Sequence, residues 1–245
     1  MKEQIYTIPI NEAMEENGEC PFCILEKKLE DEAISYALGA AMMEPDYRIE
    51  SNKKGYCNKH FGRLFSEKNK LSLALVLETL TKENIDELLK FKKGMENVGK
   101  KSFFKKENNT YKELLDNLKS REDSCIICDR VNATMERYLG VFLDMYEDSE
   151  EFREKVKNSK GVCFVHLRQL IIKAQKQMKP KFKDEFIKIL FDKQIAETGR
   201  VLEELKKFIL KFDYRYQDME LGEAVDSPKR CIEKTMGYIY TPDNE

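Results

Sequence analysis

The residues of this chain whose types and spacing could do chemistry are Cys20, Cys23, Cys57 and His60, and then Cys125, Cys128, Cys163 and His166. Each set reads Cys-x-x-Cys, a long spacer, then Cys-x-x-His. Together they take six of the seven cysteines and both histidines of the chain. Three thiolates and one imidazole match the borderline softness of zinc, and four protein ligands close a tetrahedral site of the structural type. The expected cofactor is therefore zinc, two per chain, with these eight residues as ligands. A cysteine and a histidine three apart on a helix share a face, as two ligands of one ion must. Each repeat completing its own set is the simpler partition; exchange of ligand pairs between repeats is the alternative.

Other chemistries fit these residues less well. Cys20-Pro21-Phe22-Cys23 resembles the redox motif of glutaredoxin-like enzymes, but such motifs follow a β-strand. Asn11 to Glu19 has no strand pattern, and the second copy, Cys125-Ile126-Ile127-Cys128, lacks the proline. Thiol oxidation that ejects the metal, making the sites a redox- or metal-responsive switch, remains the alternative function. Iron–sulfur clusters prefer all-cysteine ligation, and c-type haem needs histidine where Ile24 and Asp129 stand. A metal-dependent enzyme using one site is the minority reading. Catalytic zinc needs an open coordination position, and with both histidines used none is left for acid–base work. Glu19, Glu26 and Asp129 lie near ligands in sequence and read as solvated charges. Cys231 belongs to neither set.

The elements that position these residues recur. The offset between the sets is 105 residues at the Cys-x-x-Cys pairs and 106 at the Cys-x-x-His pairs. Leu38, Tyr47 and Arg48 match Leu143, Phe152 and Arg153; Lys54, Gly55 and Leu64 match Lys160, Gly161 and Leu170. An internal repeat follows, with a first helical unit over residues 1–108, a second over 109–212, and an irregular tail over 213–245. Val131, Met135, Tyr138, Leu139, Phe142 and Tyr146 recur at helical steps, with Asp123 or Ser124 as the cap. Pro45 should stop the corresponding helix of the first unit. Gly55 and Gly161 should turn the chain just before each Cys-x-x-His. Leu71–Leu80 and Ile85–Val98 read as a helical hairpin with Thr81 as N-cap. Thr110-x-x-Glu113 has the capping-box pattern. From Pro180 to Phe212 runs one long apolar stripe. The fold class is all-α: a duplicated helical zinc-binding unit packed as a bundle with a long C-terminal helix.

Apolar residues make up 41% and charged residues 36% of the 245, a composition with a real core and no need for disorder. The formal net charge is −2, which gives no basic excess for nucleic acid. The run Lys100, Lys101, Lys105 and Lys106 reads as a solvated loop. No stretch has some 18 uninterrupted apolar residues or the shape of a signal peptide, so no membrane partner is expected and the protein reads as cytoplasmic. In a reducing compartment cysteines serve as metal ligands before disulfides. A protein partner or a homo-oligomer could form through the long C-terminal helix, although core packing is its plainer use.

Cys-Pro-x-Cys ahead of a long helix, Lys-Gly-Tyr-Cys-x-x-His, a second unit with Lys-Gly-Val-Cys-x-x-His, and the closing Lys211-Phe-Asp-Tyr-Arg-Tyr216 resemble an uncharacterised family of bacterial, clostridial-type proteins of unknown function. The resemblance spans nearly the whole chain, and all eight ligand positions are filled. Some members bear labels of a transporter's substrate-binding component. The chain's composition argues against that role, since it has no α/β pattern.

Overall fold

The computed structural model describes residues 4–98 and 106–239, which hold eleven α-helices and no strand. The fold is all-α. The chain divides into two compact units: one takes residues 4–28 and 133–239 of the described chain, the other 29–132. These bounds cut the chain elsewhere than the repeats expected at 1–108 and 109–212, because two helices cross from one unit into the other. Helix α2 (Pro21–Leu38) starts in the first unit, and α7 (Ile126–Asp148) starts in the second.

The first unit contains α1 (Gln4–Glu15), the start of α2, most of α7, α8 (Glu150–Asn158), α9 (Phe164–Gln177), α10 (Pro180–Leu210) and α11 (Ser227–Met236). Its core is aromatic. Phe142 lies 5.0 Å from Phe22, 5.1 Å from Phe152 and 6.5 Å from Phe186 between ring centroids, and Tyr146 lies 4.7 Å from Phe186. Burying such a side chain stabilises the fold by about 1.5–3 kcal/mol, so this cluster is a main source of cohesion. The apolar stripe after Pro180 is one helix 31 residues long, running through Gly199 without a break. Its buried face carries Phe186, Leu190, Gln194 and Val201. The tail is more ordered than its polar composition suggested. Two 3₁₀ turns (Tyr214–Tyr216 and Gly222–Asp226) lead to α11, which packs on α9 and α10.

The second unit contains the rest of α2, a 3₁₀ turn (Ala40–Met43), α3 (Pro45–Lys54), α4 (Asn58–Ser66), α5 (Lys70–Val98), α6 (Lys106–Asp123) and the first turns of α7. Ile34, Ala37, Leu38, Ala41, Leu64, Leu73, Val76 and Leu80 form its core. Three local expectations change. Helix α2 ends at Leu38, and Pro45 instead begins α3 at a first-turn position, where its missing N–H costs nothing. The hairpin around Thr81 is a single 29-residue helix, since a threonine within a strong leucine pattern need not cap anything. Helix α6 starts at Lys106, so the Thr110 pattern falls inside it. Lys100, Lys101 and Lys105 lie outside the described residues, and of Lys106 only the backbone is described.

The matched arginines have matched jobs. Arg48 donates to the carbonyl of Met42 at 3.1 Å, and Arg153 donates to those of Tyr146 and Glu147 at 2.9 and 3.1 Å. Arg153 thus satisfies carbonyls in the last turn of α7 and favours its negative dipole end, while Arg48 satisfies one in the 3₁₀ turn before α3.

Candidate metal centres

The eight donors gather into two groups of four, each inside one unit. Cys20 and Cys23 meet Cys163 and His166 in the first unit; Cys57 and His60 meet Cys125 and Cys128 in the second. The partition is the exchanged one: each group joins the Cys-x-x-Cys of one expected repeat to the Cys-x-x-His of the other. Helix lengths are consistent with this. After Cys23 the chain runs out along an 18-residue α2, about 27 Å at 1.5 Å per residue, and returns along α3, only 10 residues or about 15 Å. The same mismatch separates Cys128 from Cys163, with 23 residues out along α7 and 9 back along α8.

Local contacts hold the partners together. In the second unit Gly55 takes a left-handed φ of 69°, ending α3 and turning the chain into Cys57. Ile126 N–H donates to Gly55 O at 3.1 Å and the Ser124 hydroxyl to Lys54 O at 2.5 Å, so the start of α7 is tied to that turn. In the first unit Gly161 turns with φ 75° before Cys163. There the tie is a side chain from the tail: Lys234 Nζ donates to Glu19 O at 2.7 Å and also to Lys160 O. It links the residue before Cys20 to the turn before Cys163.

The donor geometry suits a tetrahedral ion. With metal–sulfur bonds of about 2.3 Å and metal–nitrogen bonds of about 2.0 Å, sulfur–sulfur edges should be roughly 3.8 Å and sulfur–nitrogen edges roughly 3.5 Å. In the first group Cys23 and Cys163 sulfurs are 3.6 Å apart, and His166 Nδ1 lies 3.6, 3.5 and 3.1 Å from the sulfurs of Cys20, Cys23 and Cys163. In the second, Cys57 and Cys128 sulfurs are 3.7 Å apart, and His60 Nδ1 lies 3.2, 3.3 and 3.3 Å from Cys57, Cys125 and Cys128. Both histidines turn Nδ1 to the sulfurs and Nε2 to a carboxylate. His60 Nε2 is 3.4 Å from Glu30, and His166 Nε2 is 3.8 Å from Glu26. A carboxylate behind a ligating imidazole favours the proton on Nε2 and leaves the Nδ1 lone pair for a metal. Phe22 stacks on the His166 ring at 5.5 Å.

Charge balance points the same way. Burial opposes the cation at His60, yet its Cys125 and Glu30 neighbours push its pKa up to about 9. His166, also opposed by burial, is pushed up to about 10 by Cys163 and Cys20. Hydrogen bonds from Cys128, and then from His60, overcome burial to hold Cys125 down to about 3. Cys128 is pushed up by its hydrogen bond to Cys125, then by burial, and Cys23 by hydrogen bonds to Cys163 and Cys20. Three sulfurs this close cannot all ionise against protons alone; a divalent cation held among them would let them.

The surroundings of the two groups differ. All four residues of the first are buried, and Gly237 closes over it: with φ 91°, an added Cβ there would lie 3.6 Å from the Cys23 sulfur. In the second, Cys57 and Cys128 are half-buried. The nearby acids are not solvated spectators. Glu19 is buried against Arg200 and Lys234, Glu26 and Glu30 face the histidines, and Asp129 pairs with Lys54 at 2.8 Å. Glu30, Arg63, Arg200 and Lys234 were not singled out by sequence reasoning. Glu26 and Glu30, one turn apart beside the apolar stripe of α2, carried the only available signal. Cys231 stands outside both groups.

A family model described as a family of unknown function, DUF6062, matches residues 1–242. The chain belongs to DUF6062. The search of curated proteins and the search of solved structures returned no match. For this DUF6062 chain, then, two Cys₃His groups that can hold metal are the chemistry at hand. Among the described residues no helix is long and apolar enough to cross a membrane.

Proposed function

We propose that this protein is a duplicated, cytoplasmic zinc-binding module in which two structural zinc ions, ligated across the repeats, hold a helical scaffold for interaction or regulation. The observation that carries the reading is the pair of four-donor groups with near-tetrahedral edge lengths. Zinc supplies electrostatic cross-linking of thiolates here. Four protein donors fill a tetrahedral shell, which favours holding the fold over activating water.

Metal stoichiometry tests both the ion and its partition. Protein purified without added metal should contain about two zinc per chain. The double variant Cys20→Ser/Cys163→Ser should retain one zinc, whereas Cys20→Ser/Cys57→Ser should lose both. Elemental analysis giving iron with visible absorption, or the reverse outcome for the two variants, would overturn the reading.

The half-exposure of Cys57 and Cys128 favours a second role, release of zinc on oxidation. Sub-stoichiometric peroxide should free zinc from the second unit first, with Cys57 and Cys128 oxidised before Cys20 and Cys163 in mass spectra. Equal loss from both centres would count against it.

A further inference from the structure

Helix α10 has two apolar faces, and the described residues of its own unit cover only one. Phe186, Leu190, Gln194 and Val201 are buried. Phe191, Ile195, Leu202 and Ile209 are 48%, 71%, 49% and 60% exposed, and Phe212, just past the helix end, is 77% exposed. With Thr198 and Leu205, both half-buried, they follow an alternating four- and three-residue step from 191 to 212. That is the a/d spacing of a coiled-coil seam: Ile195, Leu202 and Ile209 at one position, Phe191, Thr198, Leu205 and Phe212 at the other. Scattered exposed apolar residues would need no explanation, but three consecutive heptads do.

Gly199 flanks the middle of the seam, at the same heptad position as Asp192 and Lys206. A glycine inside a helix costs about 1 kcal/mol relative to alanine. Here a Cβ would meet nothing within 4 Å, so among the described residues no packing requires its absence. Close approach of a second helix backbone would. The charges beside the seam set its direction. Asp192 and Lys206 occupy equivalent flanking positions seven residues either side of Gly199. In an antiparallel pair such positions face each other, so Asp192 of each copy would meet Lys206 of the other.

We propose that two copies of this chain associate through α10, antiparallel, about a dyad at Gly199. The seam is self-complementary, as an isologous two-fold contact must be. Burying it on both copies removes on the order of 1,000 Å² of surface, near the lower edge for a specific interface. The dimer should therefore dissociate in the micromolar range.

Sedimentation equilibrium of the full-length, metal-loaded protein should show twice the chain mass at about 100 µM and the single mass well below 1 µM. Ile195→Lys/Leu202→Lys should leave a monomer at every concentration with unchanged helical circular dichroism. Asp192→Lys and Lys206→Asp should each weaken association at least about tenfold, and the double exchange should restore it. A zero-length carbodiimide reagent should join Asp192 to Lys206. The two lie about 21 Å apart along one helix, so that product must be intermolecular. A monomer at about 100 µM, whether or not another protein binds the seam, would overturn the proposal. So would a dimer indifferent to the Ile195/Leu202 variant or to the charge exchange.

Discussion

If zinc fills both groups, stripping it with a strong chelator should abolish the cooperative thermal transition, and Cys163→Ser should do so selectively for the first unit. Structural zinc contributes about 10–16 kcal/mol of apparent binding free energy at neutral pH, comparable to the whole stability of a typical domain. The exchanged ligation enlarges the effect. Cys23 and Cys163 are 140 residues apart, and Cys57 and Cys128 are 71 apart. Each doubling of a closed loop adds about 0.6 kcal/mol of closure entropy, which only the ion and the packing around it offset. Hydrogen exchange on Cys163→Ser should show α8, α9 and α11 losing protection while α4 and α5 keep theirs. Retention of a sharp, cooperative transition in metal-free protein would mean that the aromatic core of the first unit suffices without the ion.

The donors were legible in the sequence because each pair is local. Cys-x-x-Cys and Cys-x-x-His place two ligands within one helical turn, whatever the rest of the chain does. The glycine turns at Gly55 and Gly161 were legible for the same reason, since a left-handed φ is a single-residue property. Which pairs gather into one group was not legible. It depends on whether α3 is as long as α2, and helix ends are the part of a pattern that composition marks least. Pro45 shows the difficulty: a proline disfavours the helical state before it, but says nothing of whether the helix already ended at Leu38 or whether another begins on the proline itself.

The tail was misread for a different reason. Lys234 is 2% exposed, yet a lysine in a polar segment reads as surface, because its burial is tolerable only with partners brought from distant parts of the chain. Those partners are the carbonyls of Glu19 and Lys160 and the Glu19 carboxylate. Glu30 is the counterpart in the second unit. It meets Lys59 at 2.6 Å, Arg63 at 2.8 Å and His60 at 3.4 Å, in a spot 3% exposed. Buried charge supporting the ligands is a tertiary property, and no window of sequence contains it.

Glu19→Gln should therefore destabilise the first unit by about 3 kcal/mol and weaken zinc binding there by about 10- to 100-fold. The carboxylate receives both of its short hydrogen bonds from Arg200, at 2.7 and 2.8 Å, and Lys234 lies 3.3 Å away. Burial pushes its pKa up, but Arg200 and Lys234 outweigh that and hold it below the usual carboxylate value. Burial likewise pushes Lys234 down, with Glu19 as the main opposing charge. Neutralising Glu19 leaves a buried ammonium without its counter-ion, which is where most of the cost arises. Arg200 reaches solvent and also pairs with Glu197 and Glu204, so it contributes less. The ammonium also bridges the backbone before Cys20 to the turn before Cys163, so its displacement should reach the metal. Lys234→Met in the Glu19→Gln background should recover much of the stability, by removing the unpaired charge, but not the zinc affinity, because the bridge stays broken. Denaturant melts and zinc competition titrations of the three proteins separate these terms. A Glu19→Gln change within about 0.5 kcal/mol of the parent, the range of ordinary surface substitutions, would show that Glu19 is dispensable to the centre.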